Sequence, residues 1–396
     1  MSTPNQPELD AGRISAMNQA LRQFIDRETL VGAVVLVAQR GRVVYAGAKG
    51  WANRETGVAM TRGTGFRLAS LTKLLTSVAA LRLCALGTLA LDAPITCWLP
   101  GFRPRLPDGT TPDITLAQLL CHTAGFGYRF AMGLDNAYDR AGVSDGMDLS
   151  PVTAAEHLRR LASVPLLHAP GTAWRYSLAT DVVGFILERA TGQPLPAVIA
   201  ECVTRPLGMH DTAFEPPPDL PLAQAYRDPR GAETRPARMD GDDWIDLPTG
   251  RLRLSTRRVH AHGMWPAGGV GMVGTADDYL KLLESLRMGA GPLLSPESTQ
   301  LLLANALGAL PVGERGPGWG FGLGPLVMTD PARAQQPQGA GTWSWCGVYG
   351  NHYWVDPQAG ISFIALTNTG VAGAWGDFAD SMISTLYSKR SKKTQC

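Results

Sequence analysis

Residues 67–75 read RLASLTKLL, and the fold turns on how they are read. Ser70 stands where an apolar helix begins, and Lys73 follows one turn later on the same face. Leu71, Leu74, Leu75, Val78 and Leu81 form one apolar stripe, and Gly87 marks its stop. Ser70 and Lys73 lie off that stripe. At a helix start, free backbone N–H groups and the positive end of the dipole favour negative charge near a serine oxygen. The same positive end, with partial burial, favours the neutral form of a nearby amine, which can then take the serine proton. Lysine is scarce in this chain: there are six, three of them in the last eight residues. Taken alone, S-x-x-K also fits a serine cap followed by a surface lysine.

A rival pattern lies at 142–146, where GVSDG matches G-x-S-x-G. A nucleophile elbow needs a buried strand before its serine and a helix straight after it. The preceding residues, GLDNAYDRA, are polar, and the next helix signal begins only at Ser150, with Pro151 in its first turn. Ser144 therefore reads as a loop residue. The flanks decide the fold class as well. AVVLVAQRGRVVYAGAKG (33–50) is a hairpin signal, and HYWVDPQAGISFIALTN (352–368) is another near the far end. Ile14, Met17, Leu21, Phe24 and Ile25 predict a helix before the first hairpin. Phe378, Met382, Ile383 and Leu386 predict one after the second. Between them, SPVTAAEHLRRLASV (150–164) and DVVGFILERATG (181–192) are helical. The alternation that a doubly wound parallel sheet requires is absent. The expected class is α/β (α+β): an antiparallel sheet made by both termini and flanked by helices, with a helical domain.

Bulk composition narrows the function. The chain has 396 residues, 45% hydrophobic and 18% charged, with a net charge of +2. These values fit a soluble globular protein and argue against nucleic-acid or membrane-surface partners. The N-terminus lacks a signal-peptide core, and no apolar run has the length of a span. Cysteines at 84, 97, 121, 202, 346 and 396 form no C-x-x-C pair, so free thiols in a reducing cytoplasm are expected. The basic tail SKRSKKTQC reads as a solvated end.

Two further stretches carry chemistry. WRYSLATDVVG (174–184) places Tyr176 just before a helix, where a phenol can relay a proton, and Ser177 as that helix's cap. GTWSWCGVYG (341–350) is a strand interrupted by glycine, a mark of close backbone approach. An N–H beside it, with that of Ser70, can form an oxyanion hole. Three other clusters read as structural. MDGDDWID (239–246) is a solvated loop without calcium-loop spacing. His260 and His262 share one face of a strand but lack a third metal ligand. His122 reads as a hydrogen-bonding histidine at a helix end. No cofactor and no metal are called for.

Together, and in this order, these pieces resemble the serine β-lactamase and penicillin-binding protein superfamily on its class C side, and within it the family VIII carboxylesterases. The resemblance runs from about Gly32 to Thr367. It includes FRLASLTK, LALDAPITCWLPGF, LLCHTAGFGY, WRYSLATDVVG, GGVGMVGTADD, GPGWGFG and WCGVYG. It implies Ser70 as nucleophile, Lys73 as its base and Tyr176 as the tyrosine of Y-x-N. It places Trp345, Cys346 and Gly347 at the K-T-G position, with Val348 giving the second oxyanion N–H. It implies an α/β domain of residues 10–79 and 171–390, an inserted helical domain of 80–170 with the site in the cleft between, and a disordered tail of 391–396.

The departures bear on substrate. Trp345 replaces the K-T-G lysine that would pair with a substrate carboxylate. Leu178 replaces the Y-x-N asparagine that would bind a substrate amide. Cys346 stands where the family usually has glycine. The implied reaction is hydrolysis of short-chain or small neutral esters through an acyl-enzyme. Which of Lys73 and Tyr176 is the resting base stays open. The expected pocket residues are Trp345, Gly347, Phe126, Tyr128 and Trp265. The competing readings are a β-lactamase or D-Ala peptidase, an acyltransferase, and a non-catalytic binding module on the same fold.

Overall fold

The computed structural model describes residues 9–289 and 291–387, so the tail read as disordered (391–396) lies outside the described residues. The hairpins near the two ends join in one antiparallel sheet of eight strands. Their order is Trp319–Phe321, Leu326–Met328, Trp343–Gly347, Asn351–Asp356, Ile361–Thr367, Gly32–Gln39, Arg42–Asn53 and Val58–Ala59. The seam between late and early strands pairs Val35 with Ala365. Arg40 and Gly41 turn the first hairpin at φ 51° and 84°, the left-handed pair that a two-residue turn requires.

Both sheet faces are covered, which explains why Gly32–Gln39 reads as an unbroken apolar run. Ala33, Val35 and Val37 face a core containing Met17, Leu21, Phe378 and Met382. That side is roofed by the helices Ala11–Asp26 and Asp377–Tyr387, whose Phe24 and Phe378 rings meet edge-on at 5.2 Å. Val34, Leu36 and Ala38 face the larger core, which holds the serine helix, Thr72–Ala85. That helix is buried almost all round, so the single stripe read from its sequence understates it. It ends at Ala85 with Leu86 as its C-cap, and Gly87 follows at φ 75°, as expected. The helix also runs unbroken through position 79, where a domain boundary was expected.

Three local expectations are corrected. The helix Ala154–Ser163 is capped by Thr153, whose hydroxyl accepts the Glu156 N–H at 3.2 Å, and not by Ser150. The acidic stretch read as a solvated loop is a strand: Asp242–Leu247 pairs with Gly250–Ser255. Arginines neutralise its carboxylates, with Arg230 3.0 Å and Arg251 2.9 Å from Asp246. His260 ends a 3-10 turn, Arg258–His260, and His262 follows in an exposed loop, so the pair shares no strand face.

Candidate active site

Ser70 sits one step earlier than the sequence implies, in a 3-10 turn (Ala69–Leu71) that feeds the serine helix. Ala69 has φ 46°, a left-handed conformation that costs a non-glycine residue roughly 1–2 kcal/mol. The turn is held from several sides. Leu68 N–H donates to Met272 O at 2.9 Å, Asn351 Nδ2 to Arg67 O at 2.8 Å, and Tyr279 OH to Leu71 O at 2.9 Å. The glycine-rich segment 268–272 is laced along the helix. Thr76 Oγ1 donates to Gly268 O at 2.6 Å, and Met272 N–H donates to Thr72 Oγ1 at 3.2 Å.

Lys73 is 1% exposed, with its amine inside the protein. Nζ lies 2.9 Å from Gly269 O, 2.9 Å from Tyr128 OH and 3.3 Å from Ser70 Oγ. Tyr176 OH donates to Ser70 Oγ at 2.8 Å, and Trp345 Nε1 donates to Tyr176 OH at 3.3 Å. The Tyr176 ring packs against Tyr128, Trp345 and His122 at centroid distances of 5.2, 4.9 and 4.9 Å. Lys73 Nζ lies 4.8 Å from its centroid. Burial holds the Tyr128 phenol well above its ordinary pKa, so it stays protonated. Burial and the Lys73 charge hold His122 well below its own. His122 Nδ1 lies 3.2 Å from Ser177 Oγ, which also accepts the Ala179 N–H at 3.3 Å. His122 therefore binds a helix start and makes no bond to Ser70.

The strand Trp343–Gly347 closes the other side. A Cβ on Gly347 would stand 2.6 Å from Leu68 O and 3.4 Å from the Ala69 Cβ. Only glycine lets this strand lie against the serine turn. Val348 follows immediately and lines the cleft with Ser70. Neither the Ser70 nor the Val348 N–H is taken by a backbone acceptor among the described residues. Both donors are therefore left without a backbone acceptor beside the cleft.

The cleft has a volume of about 580 Å³ and a mostly apolar wall. Tyr128 and Trp345 line it as expected. Phe126 and Trp265 do not, and that expectation is corrected. Phe126 is buried and stacks on Phe102 at 5.9 Å, and Trp265 packs between His157 and Phe185 at 4.5 and 5.4 Å. Gly347 is also absent from the wall, because its space is filled by the serine turn. Cys346 does line the cleft, and burial raises its thiol pKa. The wall that sequence reading missed comprises Phe130, Met147, Trp174, Leu252 and Trp375, with Arg315 at its rim. Only Trp174 lay in a stretch already singled out for chemistry; the turn Arg129–Ala131, the strand Gly250–Ser255 and loops supply the others.

Ser144 lies in a loop and is 1% exposed. Its hydroxyl donates to Asp148 and accepts the Gly146 N–H at 3.0 Å. The neighbouring Asp145 accepts the N–H groups of Arg129 at 2.8 Å and Phe130 at 3.3 Å, bracing the Tyr128–Phe130 wall. Burial pushes the Asp145 pKa up to about 7.

A serine engaged by a buried lysine and a tyrosine, beneath an antiparallel sheet from both chain ends, defines the penicillin-recognising type of serine-enzyme scaffold. Residues 17–377 match the Beta-lactamase family model, and the chain belongs to this family. It is 44% identical to Esterase EstB of Burkholderia gladioli over 390 residues, covering 98% of each chain. A solved structure of EstCE1, described as a hydrolase with promiscuous acyltransferase activity, matches at TM-score 0.90 and 40% identity, covering 95% of this chain and 98% of that one. Unliganded simvastatin synthase LovD from Aspergillus terreus shares the fold, with TM-score 0.74, 23% identity and coverage of 96% and 98%.

Proposed function

We propose that this protein is a serine carboxylesterase of the family VIII type, hydrolysing small neutral esters through an acyl-enzyme on Ser70. One observation carries the reading: Ser70 Oγ is within hydrogen-bonding reach of both Tyr176 OH and Lys73 Nζ in an apolar cleft. Gly269 O and Tyr128 OH take two amine hydrogens and leave the third tetrahedral position of Nζ directed at Ser70. In the first step Oγ attacks the ester carbonyl carbon while its proton passes to the Lys73 lone pair. The Ser70 and Val348 N–H groups receive the oxyanion, each worth on the order of 10²–10³ in rate. The ester C–O bond then breaks, and Tyr176, hydrogen-bonded to Ser70, hands its proton to the departing alcohol and regains one from the Lys73 ammonium, which leaves the amine neutral for the second half. Water repeats the sequence on the acyl-enzyme and releases the acid. Trp345 in the K-T-G position and Leu178 in the Y-x-N position favour esters over β-lactams. A cytoplasmic location belongs to the same reading, supported by free thiols at Cys84, Cys97, Cys121, Cys202 and Cys346.

Hydrolysis of p-nitrophenyl butyrate and labelling by a fluorophosphonate probe test this directly. Ser70→Ala is expected to abolish both, and Ser144→Ala to keep both. The opposite pattern, or turnover of nitrocefin far above that of the ester, would overturn the reading.

A further inference from the structure

The helix Ala179–Thr191 carries a buried acid that the reaction above does not use. Asp181 is 1% exposed. Its Oδ1 accepts the Gly269 N–H at 2.8 Å, and the Gly269 carbonyl of the same residue accepts Lys73 Nζ at 2.9 Å. Its Oδ2 is buried and has no hydrogen-bond partner among the described residues. A Cβ on Gly269 would lie 3.2 and 3.3 Å from the two carboxylate oxygens and 3.3 Å from Lys73 Nζ. The glycine therefore leaves the acid and the amine open to each other, with no side chain between them. A buried carboxylate normally has its lone pairs satisfied, so an orphaned oxygen this near an amine calls for an explanation.

Resting on the reading of Lys73 as base, we propose that Asp181 is a positioning residue that stabilises the ammonium formed when Lys73 takes the Ser70 proton. It fixes the Gly269 carbonyl that holds Nζ and supplies the counter-charge across the open face of Gly269. A carboxylate behind a catalytic histidine acts in the same way, stabilising the cation that appears during reaction. Arg258 and Tyr128 also bear electrostatically on this acid. On the lysine side stand Tyr128, Tyr176, His122 and the Cys346 thiol, and no carboxylate is bonded to Nζ among the described residues. Burial pushes the Asp181 pKa up to about 6 while the Lys73 charge pulls it down. The Lys73 charge thus favours the ionised acid, so the carboxylate is favoured as the ammonium forms.

Asp181→Asn separates charge from tether, because an amide oxygen still accepts the Gly269 N–H. The measurement is kcat and KM for p-nitrophenyl butyrate from pH 5 to 9. The expected result is kcat/KM lower by about 10- to 100-fold at its plateau, carried by kcat. The loss of activity as pH falls through about 6, where the Asp181 carboxyl takes up a proton, is expected to be absent from Asp181→Asn. A limb near pH 6 that persists unchanged in the variant would overturn the proposal, since a purely structural role leaves the profile alone. Should Asp181→Asn not fold, Gly269→Ala places a methyl against both groups and is expected to lower kcat with KM little changed. Lys73→Ala keeps the two readings apart: near-normal activity there would sink the base assignment itself.

Discussion

Trp345 makes one polar contact with the reacting groups, from Nε1 to Tyr176 OH. Trp345→Phe keeps the ring packing and removes that bond, so a kcat loss of about 3- to 10-fold is expected with KM little changed. An equal fall in stability and activity would mean that the ring, and not the N–H, matters. Ser144→Ala should separate the two quantities the other way. It leaves the buried Gly146 N–H without its acceptor, so about 1–3 kcal/mol of stability is expected to go while turnover stays near normal. A thermal melt beside the ester assay checks both. At this scale Ser70, Lys73 and Tyr176 were legible because spacing and helix starts point to them. The aromatic wall was not. Phe126 and Tyr128 are two residues apart in one stretch, yet the first turns to Phe102 and the second to Lys73. Nothing local tells which way each ring faces.

Among the elements, the strand Trp343–Gly347 and the serine turn must lie almost backbone to backbone. Gly347→Ala would bring a methyl to 2.6 Å from Leu68 O and drive them apart. The Val348 N–H would move away from the oxyanion position. A fall in kcat on the order of 10² is expected, with slower fluorophosphonate labelling of a still-folded protein. Normal turnover would place the second donor elsewhere. The hairpins at the chain ends were legible because apolar runs bounded by turn residues leave few alternatives. The hairpin Asp242–Ser255 was hidden because its acids suggested a solvated loop. Its strand nature depends on Arg251, which stands opposite Asp246 within the hairpin, and on Arg230, which only the folded chain brings to it. The cap of Ala154–Ser163 was misplaced by three residues because Ser150-Pro151 and Thr153 are both plausible helix starts.

The molecule as a whole buries several titratable groups of opposite tendency. His157 is fully buried, its ring nitrogens lack hydrogen-bond partners among the described residues, and burial lowers its pKa to about 4. Between about pH 6.5 and pH 4 the unfolded chain binds a proton that the folded chain refuses, so stability falls as pH falls, by on the order of 3 kcal/mol in total. Asp145 and Asp181, held up near 7 and 6, work in the opposite sense across part of the same range. Comparison with a variant isolates the histidine. His157→Phe, in a slot between Trp265 and Phe185, should gain melting temperature over the parent progressively as pH drops from 7 to 4. A gap that stays constant with pH would refute the assignment.

The order of strands also has a consequence for how the chain is wired. Leu9 N–H reaches the side chain of Gln39, and the hydroxyl of Tyr387 reaches Asp356. Gln39 and Asp356 are the two cross-strand neighbours of Ile361. The first and last described turns of the polypeptide are therefore anchored about 10 Å apart, on either side of one strand. Leu9 and Tyr387 could be joined by a short glycine-serine bridge and the ring cut open at the exposed Leu134. Such a rewired polypeptide should still hydrolyse p-nitrophenyl butyrate, its Ser70, Lys73 and Tyr176 assembled from a different reading order.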